Sequence, residues 1–443
     1  MNSWWRHPVR LVPLAFLAVI VAGTLILLLP VSRNGRAGAS VLTAAFTAVS
    51  ATCLTGLTVV DTATYWSPFG QTVILGLIQV GGFGVMSMAT LLALLVFGRI
   101  GVHGALVAQT DSHTSALGDV RGALKTIALS TLAIESLITL MITGRFYFGL
   151  GEPLPRALWH GLFHALSAFN NAGFALYTDN LMAFVADPWI IVPLCAAIIA
   201  GGIGFPVYYE LIRRRSRPRH WSVHARITVI GYFGLTAIST ASFAIVEWSN
   251  PGTLGGLGTG GRILGALMGG VTPRTAGFNS VDYAQVQPET MLLDTIMMFI
   301  GGGSAGTAGG IKVGTFLILA FVIWAEVRGE PQVVIGRRAI PTSTIREALS
   351  VALLGVAAVV AGTGFLLADS DQSLERVAFE AASAFGASGL SPGITGSFNA
   401  YGQIVLMVLM FVGRLGPVTA ATALALNRRR RFYRLAEERP LVG

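Results

Sequence analysis

The sequence predicts an all-α integral membrane protein of four repeated units. Each unit is a spanning helix, a re-entrant pore helix and a second span. Eight spans and four pore helices then stand in pseudo-fourfold symmetry around one pore. Three observations predict this. The 443 residues are 53% hydrophobic and only 12% charged, against about 25% charged in soluble proteins. Apolar stretches recur at 11–29, 71–97, 126–148, 188–212, 227–246, 290–327, 348–368 and 402–426, and most reach the ~20 residues that cross a bilayer. A short phrase ending in glycine occurs four times, at intervals of about 110 residues, as a repeat architecture requires.

The units run over 1–98, 99–213 (with a preceding cytoplasmic loop), 214–328 and 329–443 (with a basic cytoplasmic tail). A first apolar span opens each. A shorter, less apolar segment follows, too short to cross, and is read as a re-entrant helix. Helix-starting residues support this: Ser40 as a cap in the first unit, Pro155 in the first turn of the second, Ser373 as a cap in the fourth.

Next come the glycine phrases. They are Ser50 to Leu57, Ser167 to Phe174, Gly270 to Phe278 and Ser383 to Leu390, and three open with Ser-Ala. Irregular backbone at membrane depth persists only where protein buries it or water reaches it. The phrases are therefore expected to line one aqueous path. The candidate filter comprises Cys53, Leu54, Thr55 and Gly56; Asn170, Asn171, Ala172 and Gly173; Arg274, Thr275, Ala276 and Gly277; and Gly386, Ala387, Ser388 and Gly389. Glycine reaches the positive φ that turns successive carbonyls inward. A ring of carbonyls, faced by the negative ends of four short helices, suits a dehydrated cation. No Asp or Glu lies in the phrases, which favours a monovalent ion over a divalent one. Arg274 would repel a cation, so it is read as bracing the filter from behind, as are Asn170 and Asn171.

Each second span carries a glycine cluster: Gly81-Gly82-Phe83-Gly84, Gly201-Gly202-Ile203-Gly204, Gly301-Gly302-Gly303 and Gly413-Arg414-Leu415-Gly416. Glycines here allow bending or close packing. The third copy departs from the others. Gly301, Gly302, Gly303, Ser304, Ala305, Gly306, Thr307, Ala308, Gly309 and Gly310 hold too many glycines for a stable helix, at about 1 kcal/mol each relative to alanine. A broken span with a small flexible loop under the filter is expected, and such a loop is a natural gate. Gly301, Gly303 and Gly306 with Glu326 match a dinucleotide fingerprint, but the flanks are membrane-length apolar runs without a βαβ unit. Lys312 and Arg414 add positive charge at this level. Arg414 is read as a pore charge that tunes cation occupancy or contacts the loop.

The net charge of +9 marks topology, not a nucleic-acid partner. Arg6 and Arg10, Arg213, Arg214, Arg215, Arg217, Arg219 and Arg226, Arg328, Arg337, Arg338 and Arg346, and Arg428 to Arg431 with Arg434 all fall on one side if spans alternate. That places both termini in the cytoplasm and the chain in the plasma membrane. Arg6, Arg10, an apolar run and Ala37-Gly38-Ala39 resemble a cleaved leader, but the run is long and cleavage would remove the first span. Asp61, Asp179, Asp187, Asp282, Glu289, Asp369 and Asp371 would face outward as a negative vestibule. Cys53 and Cys195 give no disulfide framework. No enzyme constellation converges, since His160 and His164 share a helical face without a nearby acid. A second reading is a secondary transporter of sodium or another small solute with a midplane site. Such transporters show two related halves, whereas this chain shows four similar quarters.

Taken with Gly309-Gly310-Ile311-Lys312 and Gly413-Arg414-Leu415-Gly416-Pro417, the four phrases resemble those of the Trk/Ktr/HKT cation transporters over essentially the whole chain. The likeness is nearest to the membrane subunit of Ktr-type potassium uptake systems. Trk-type subunits carry two further N-terminal spans, whereas here the first repeat starts at once. The resemblance implies a homodimer in membrane lipid that passes K+, with Na+ as activator or coupling ion. It also implies a cytoplasmic RCK-type ring that binds nucleotide and controls the intramembrane loop. Serine in the first phrase accompanies sodium transport in some plant relatives. Here all four positions are glycine, which favours potassium. Ala387-Ser388 stands where relatives often have Thr-Val or Thr-Ala, a departure that bears on the strength of selectivity alone.

Overall fold

A computed structural model describes residues 8–35, 38–98, 120–213, 221–336, 338–368 and 370–426. Arg6, Ala37, Arg214, Arg215, Arg217, Arg219, Arg337, Asp369, Arg428 to Arg431 and Arg434 lie outside the described residues, as do the side chains of Arg10, Arg213 and Pro417.

The apolar stretches form helices, two of them broken, and the helices fall in triads. The first is α1 (Pro8–Leu27), α2 (Val41–Thr52) and α3 (Pro68–Gly98). The second is α4 (Val120–Gly144), α5 (Leu154–Phe169) and α6 (Pro188–Ile203), which continues past a bend as α7 (Phe205–Arg213). The third is α8 (Val223–Glu247), α9 (Thr259–Val271) and α10 (Pro288–Phe299), which resumes beyond a loop as α11 (Val313–Val327). The fourth is α12 (Thr342–Leu367), α13 (Leu374–Gly386) and α14 (Ala400–Leu426). An antiparallel pair, β1 (Val334–Ile335) and β2 (Arg338–Ala339), links α11 to α12.

Among the described residues, Lys125–Gly149, Val223–Glu247 and Thr342–Leu367 are long and apolar enough to cross a membrane. A fourth follows if the bent pair Pro188–Ile203 and Phe205–Ile212 is one span. Large apolar side chains such as Leu140, Ile245 and Val360 are exposed on these helices, as a lipid-facing surface requires.

Local chemistry sets the short helices. Ser40 Oγ accepts the Thr43 N–H at 3.1 Å and caps α2. A proline opens α5, where no intrahelical N–H is needed. Ser373 takes the capping position of α13, but its hydroxyl turns to Glu375 Oε1 at 3.3 Å instead of capping. The chain closes on itself in the order of the sequence. Each second-span helix packs on the short helix of the next triad, α3 on α5, α6 on α9 and α10 on α13, and α14 returns to α2.

The glycine clusters explain part of this fit. A Cβ added at Gly81 would strike the Thr52 carbonyl, one at Gly201 the Phe169 carbonyl, and one at Gly413 the Phe385 carbonyl. Each of those carbonyls ends a short helix, four residues before its phrase glycine. The small residue lets the second span pass against the helix end. The third triad differs, because Pro273 occupies that place and Gly301 packs on the Gly309 carbonyl instead.

The second span breaks not only in the third unit, where the sequence predicts it, but also in the second. At Gly204 φ is +96°, and the flanking helices meet at 100°. A helix, not a strand, leads into Gly301, Gly303 and Gly306. The dinucleotide fingerprint therefore has no βαβ unit among the described residues.

Candidate functional site

The four phrases meet. A methyl group built on Gly56 would stand 3.0 Å from the Gly173 Cα, one on Gly173 2.8 Å from the Gly277 Cα, and one on Gly277 3.4 Å from the Gly389 Cα. One on Gly389 would stand 3.1 Å from the Gly56 Cα. The glycines therefore form a closed ring in triad order. Each has positive φ, at 89°, 72°, 74° and 84°. Two residues earlier, Leu54, Asn171, Thr275 and Ala387 also have positive φ, at 58°, 54°, 70° and 51°. For non-glycine residues this costs of order 1–3 kcal/mol each and persists only where the surroundings impose it.

Those surroundings are the short-helix ends. The residue before each glycine donates its N–H back to the helix: Thr55 to the Ser50 carbonyl at 2.8 Å, Ala172 to Ser167 at 2.8 Å and Ser388 to Ser383 at 2.9 Å. In the third phrase Ala276 donates to Thr272 at 3.0 Å, one residue closer. Four helix C-termini thus face the ring, each carrying about half a negative charge. The buried hydroxyl oxygens of Thr52, Thr55, Thr275 and Ser388 have no protein partner.

On one face of the ring lies a cavity of about 270 Å³, lined by Gly56, Gly173, Gly389, Asp61, Asp179 and neighbouring hydroxyls. Of the described acids expected in a vestibule, Asp61 and Asp179 line this cavity. Asp187 instead pairs with Arg145 at 2.7 Å, and Asp282 caps a turn at Ala284.

On the other face lies the loop 300–312. It is largely buried and bonded at both ends, not a loose link. Gly301 N–H donates to Ile311 at 2.8 Å and Val313 N–H to Gly302 at 3.0 Å. The loop also uses the backbone freed by the second break. Gly303 N–H donates to Gly202 at 2.8 Å, Thr307 N–H to Gly201 at 3.2 Å, and Phe205 N–H to Ala305 at 3.4 Å. A Cβ at Gly204 would strike the Ser304 carbonyl. A methyl built on Gly309 would meet Ala387 Cβ and the Gly386 carbonyl, each at 2.5 Å. Thr307 Oγ1 lies 3.1 Å from the Asn171 side chain. The loop therefore touches the second and fourth phrases, which face each other across the ring.

Three cations attend the loop. Arg414, 2% exposed, donates from Nη1 to the Thr307 carbonyl. Lys312 Nζ donates to Ala308 at 2.5 Å. Arg274 is fully buried with its guanidinium over the Tyr232 ring at 5.0 Å, and Nη2 donates to Gly301 at 2.7 Å. Arg274 thus reaches Gly301, at the start of the loop, from within the third phrase.

Some participants were not singled out from sequence. Asn170 Nδ2 donates to Glu135 Oε1 at 3.0 Å and to Gln79 Oε1 at 2.9 Å. Gln79 and Glu135 are polar interruptions of apolar stretches, which was the available signal. The expectation that His160 lacks an acid is corrected: Glu152 Oε2 lies 3.2 Å from its Nδ1 and the Tyr177 hydroxyl lies at 2.8 Å. Glu152 precedes the helix, so helical spacing could not reveal it. Burial, and then the Glu152 charge, pushes the Tyr177 hydroxyl above its ordinary range.

Fold and ring together define a helical membrane transport protein. The family model for TrkH, described as a cation transport protein, matches residues 6–431. The chain belongs to this family, whose members are transporters and not enzymes. It is 38% identical over 418 residues to the Ktr system potassium uptake protein B of Bacillus subtilis (strain 168), covering 94% of this chain and 93% of that protein. It is 34% identical over 417 residues to the protein of the same name in Vibrio alginolyticus, with 94% and 91% covered. The potassium/sodium uptake protein NtpJ of Enterococcus hirae is 30% identical over 442 residues, with 98% and 97% covered. The crystal structure of the potassium transporter TrkH from Vibrio parahaemolyticus has the same fold, with a TM-score of 0.74, 17% identity, and 97% and 86% of the two chains covered.

Proposed function

We propose that the chain is the membrane subunit of a potassium uptake system, passing K+ across the plasma membrane through the glycine ring. The observation that carries this reading is the closed ring of four positive-φ glycines with helix C-termini behind it. Backbone carbonyls can replace the water shell of a monovalent ion without fixed negative charge. The unpartnered oxygens of Thr52, Thr55, Thr275 and Ser388 are further donors that a passing ion or its water would satisfy. Asp61 and Asp179 would concentrate cations at the outer mouth. The triads would be four span–pore helix–span units within 1–98, 99–213, 214–328 and 329–443, giving eight spans with both termini cytoplasmic.

The loop 300–312 is the gate in this reading. It lies across the inner face of the ring, held by bonds to the Gly201 and Gly202 carbonyls, Phe205, Phe169 and Arg414. Five such bonds at about 0.5–1.5 kcal/mol each hold it by about 3–8 kcal/mol. A cytoplasmic partner need supply only a difference of that size to open it. Dimerisation and an RCK-type nucleotide-binding ring are part of this proposal.

The test is K+ against Na+ flux in liposomes, with and without the cytoplasmic partner. Potassium-selective flux that rises with the partner is expected. Equal flux of both ions would overturn the potassium filter. Sodium-dependent potassium flux would mark Na+ as a coupling ion.

A further inference from the structure

We propose that Glu380 is a positioning residue that fixes the fourth filter segment from behind. This rests on reading the glycine ring as a potassium filter. Nine residues before the four ring glycines stand Thr47, His164, Met268 and Glu380, all buried on the short helices. Only the second and fourth are ionisable, and these two segments face each other across the ring.

Both reach the chain that leaves the filter. Glu380 is fully buried, and its Oε1 accepts the Thr395 hydroxyl. The Thr395 hydroxyl lies 3.0 Å from Ser391 Oγ, which accepts the Gly393 N–H at 3.0 Å. Ser391 stands two residues past Gly389. His164 directs Nδ1 to the His160 carbonyl at 2.7 Å, which leaves Nε2 to accept the Leu176 N–H at 3.3 Å. Leu176 stands three residues past Gly173. In each case one side chain ties the short helix to the strand on the far side of the ring glycine.

The ring needs such ties. The left-handed residues Asn171 and Ala387 store strain that relaxes unless both ends of the segment are held. An acceptor oxygen fixed on the short helix fits a site that must be held within about 0.5 Å. Glu380 Oε2 has no protein partner, so the hold runs through Oε1.

The experiment measures the K+-over-Na+ flux ratio of the full chain in liposomes for Glu380→Ala, Glu380→Gln and Thr395→Val. Glu380→Ala and Thr395→Val should each lower the ratio about tenfold, with no further loss in the double variant. Glu380→Gln keeps an acceptor at Oε1 and should stay within about twofold of wild type. Thr395→Val leaves the helix untouched, so it reads the bond even if Glu380→Ala fails to assemble. A ratio unchanged in Thr395→Val overturns the inference while leaving the filter intact. A wild-type chain without potassium preference overturns the filter reading itself, and this inference with it.

Discussion

The hydroxyl of Thr307, in the buried loop, lies 3.1 Å from the side-chain amide of Asn171, in the second glycine phrase. With the amide nitrogen turned toward the carbonyls of Ala168, Phe169 and Ile198, Asn171 donates to Thr307 Oγ1. Thr307 in turn donates to the Phe169 carbonyl at 3.3 Å. The loop and the second glycine phrase are thus joined by one chain of bonds.

That chain gives the first prediction. Thr307→Val keeps the shape and removes both hydroxyl bonds, about 1–3 kcal/mol in all. Potassium flux without the cytoplasmic partner should rise about tenfold. Asn171→Ala should do the same, and the two should not add, because they break one linkage. Additive effects in a double-mutant flux assay would show that the two residues act apart.

Arg414 holds the same loop residue from the fourth triad. Its Nε and Nη2 have no partner, so it is an under-bonded buried cation. Arg414→Ala removes that charge and leaves only the Thr307 carbonyl unmet, at about 1–3 kcal/mol. The protein should still assemble by gel filtration, and its partner-free flux should rise. Loss of folded protein with no active fraction would assign Arg414 to structure alone.

Gly204 separates what was legible in the sequence from what was not. The clusters Gly81-Gly82-Phe83-Gly84 and Gly201-Gly202-Ile203-Gly204 share one pattern, yet α3 runs through the first and the second breaks. The difference is tertiary: Ser304 and Ala305, about a hundred residues away, pack on Gly204 and take up its freed backbone. The ring was readable because four phrases recur at fixed places. The break in the third triad was readable because its glycines cannot hold a helix. The brace at Glu380 was not, since Thr395 follows in irregular chain where no periodicity points back to the helix.

The same contact predicts a phenotype. Gly204→Ala forces a side chain into φ +96° and ψ 139°, at about 1–3 kcal/mol, and drives its Cβ onto the Ser304 carbonyl. The loop must shift, so partner-free flux should increase while the potassium-to-sodium ratio holds. A change in the ratio without a change in flux would contradict this, because Gly204 touches the loop and not the ring.

Gly56→Ser addresses the ring directly. At φ +89°, any Cβ would lie 2.5 Å from the Ala172 carbonyl and 3.0 Å from the Gly173 Cα. Neither neighbour is the end of a flexible side chain, so the backbone must give. The first and second segments should separate, and sodium should compete, with the flux ratio falling about tenfold or more. Gly76→Ser, on α3 where nothing lies within 4 Å, is the matched control and should transport like wild type. If both variants keep the wild-type ratio, Gly56 is not part of the filter. If only Gly56→Ser loses it, close approach of backbones at the ring, and not glycine content in the membrane, sets which ion passes.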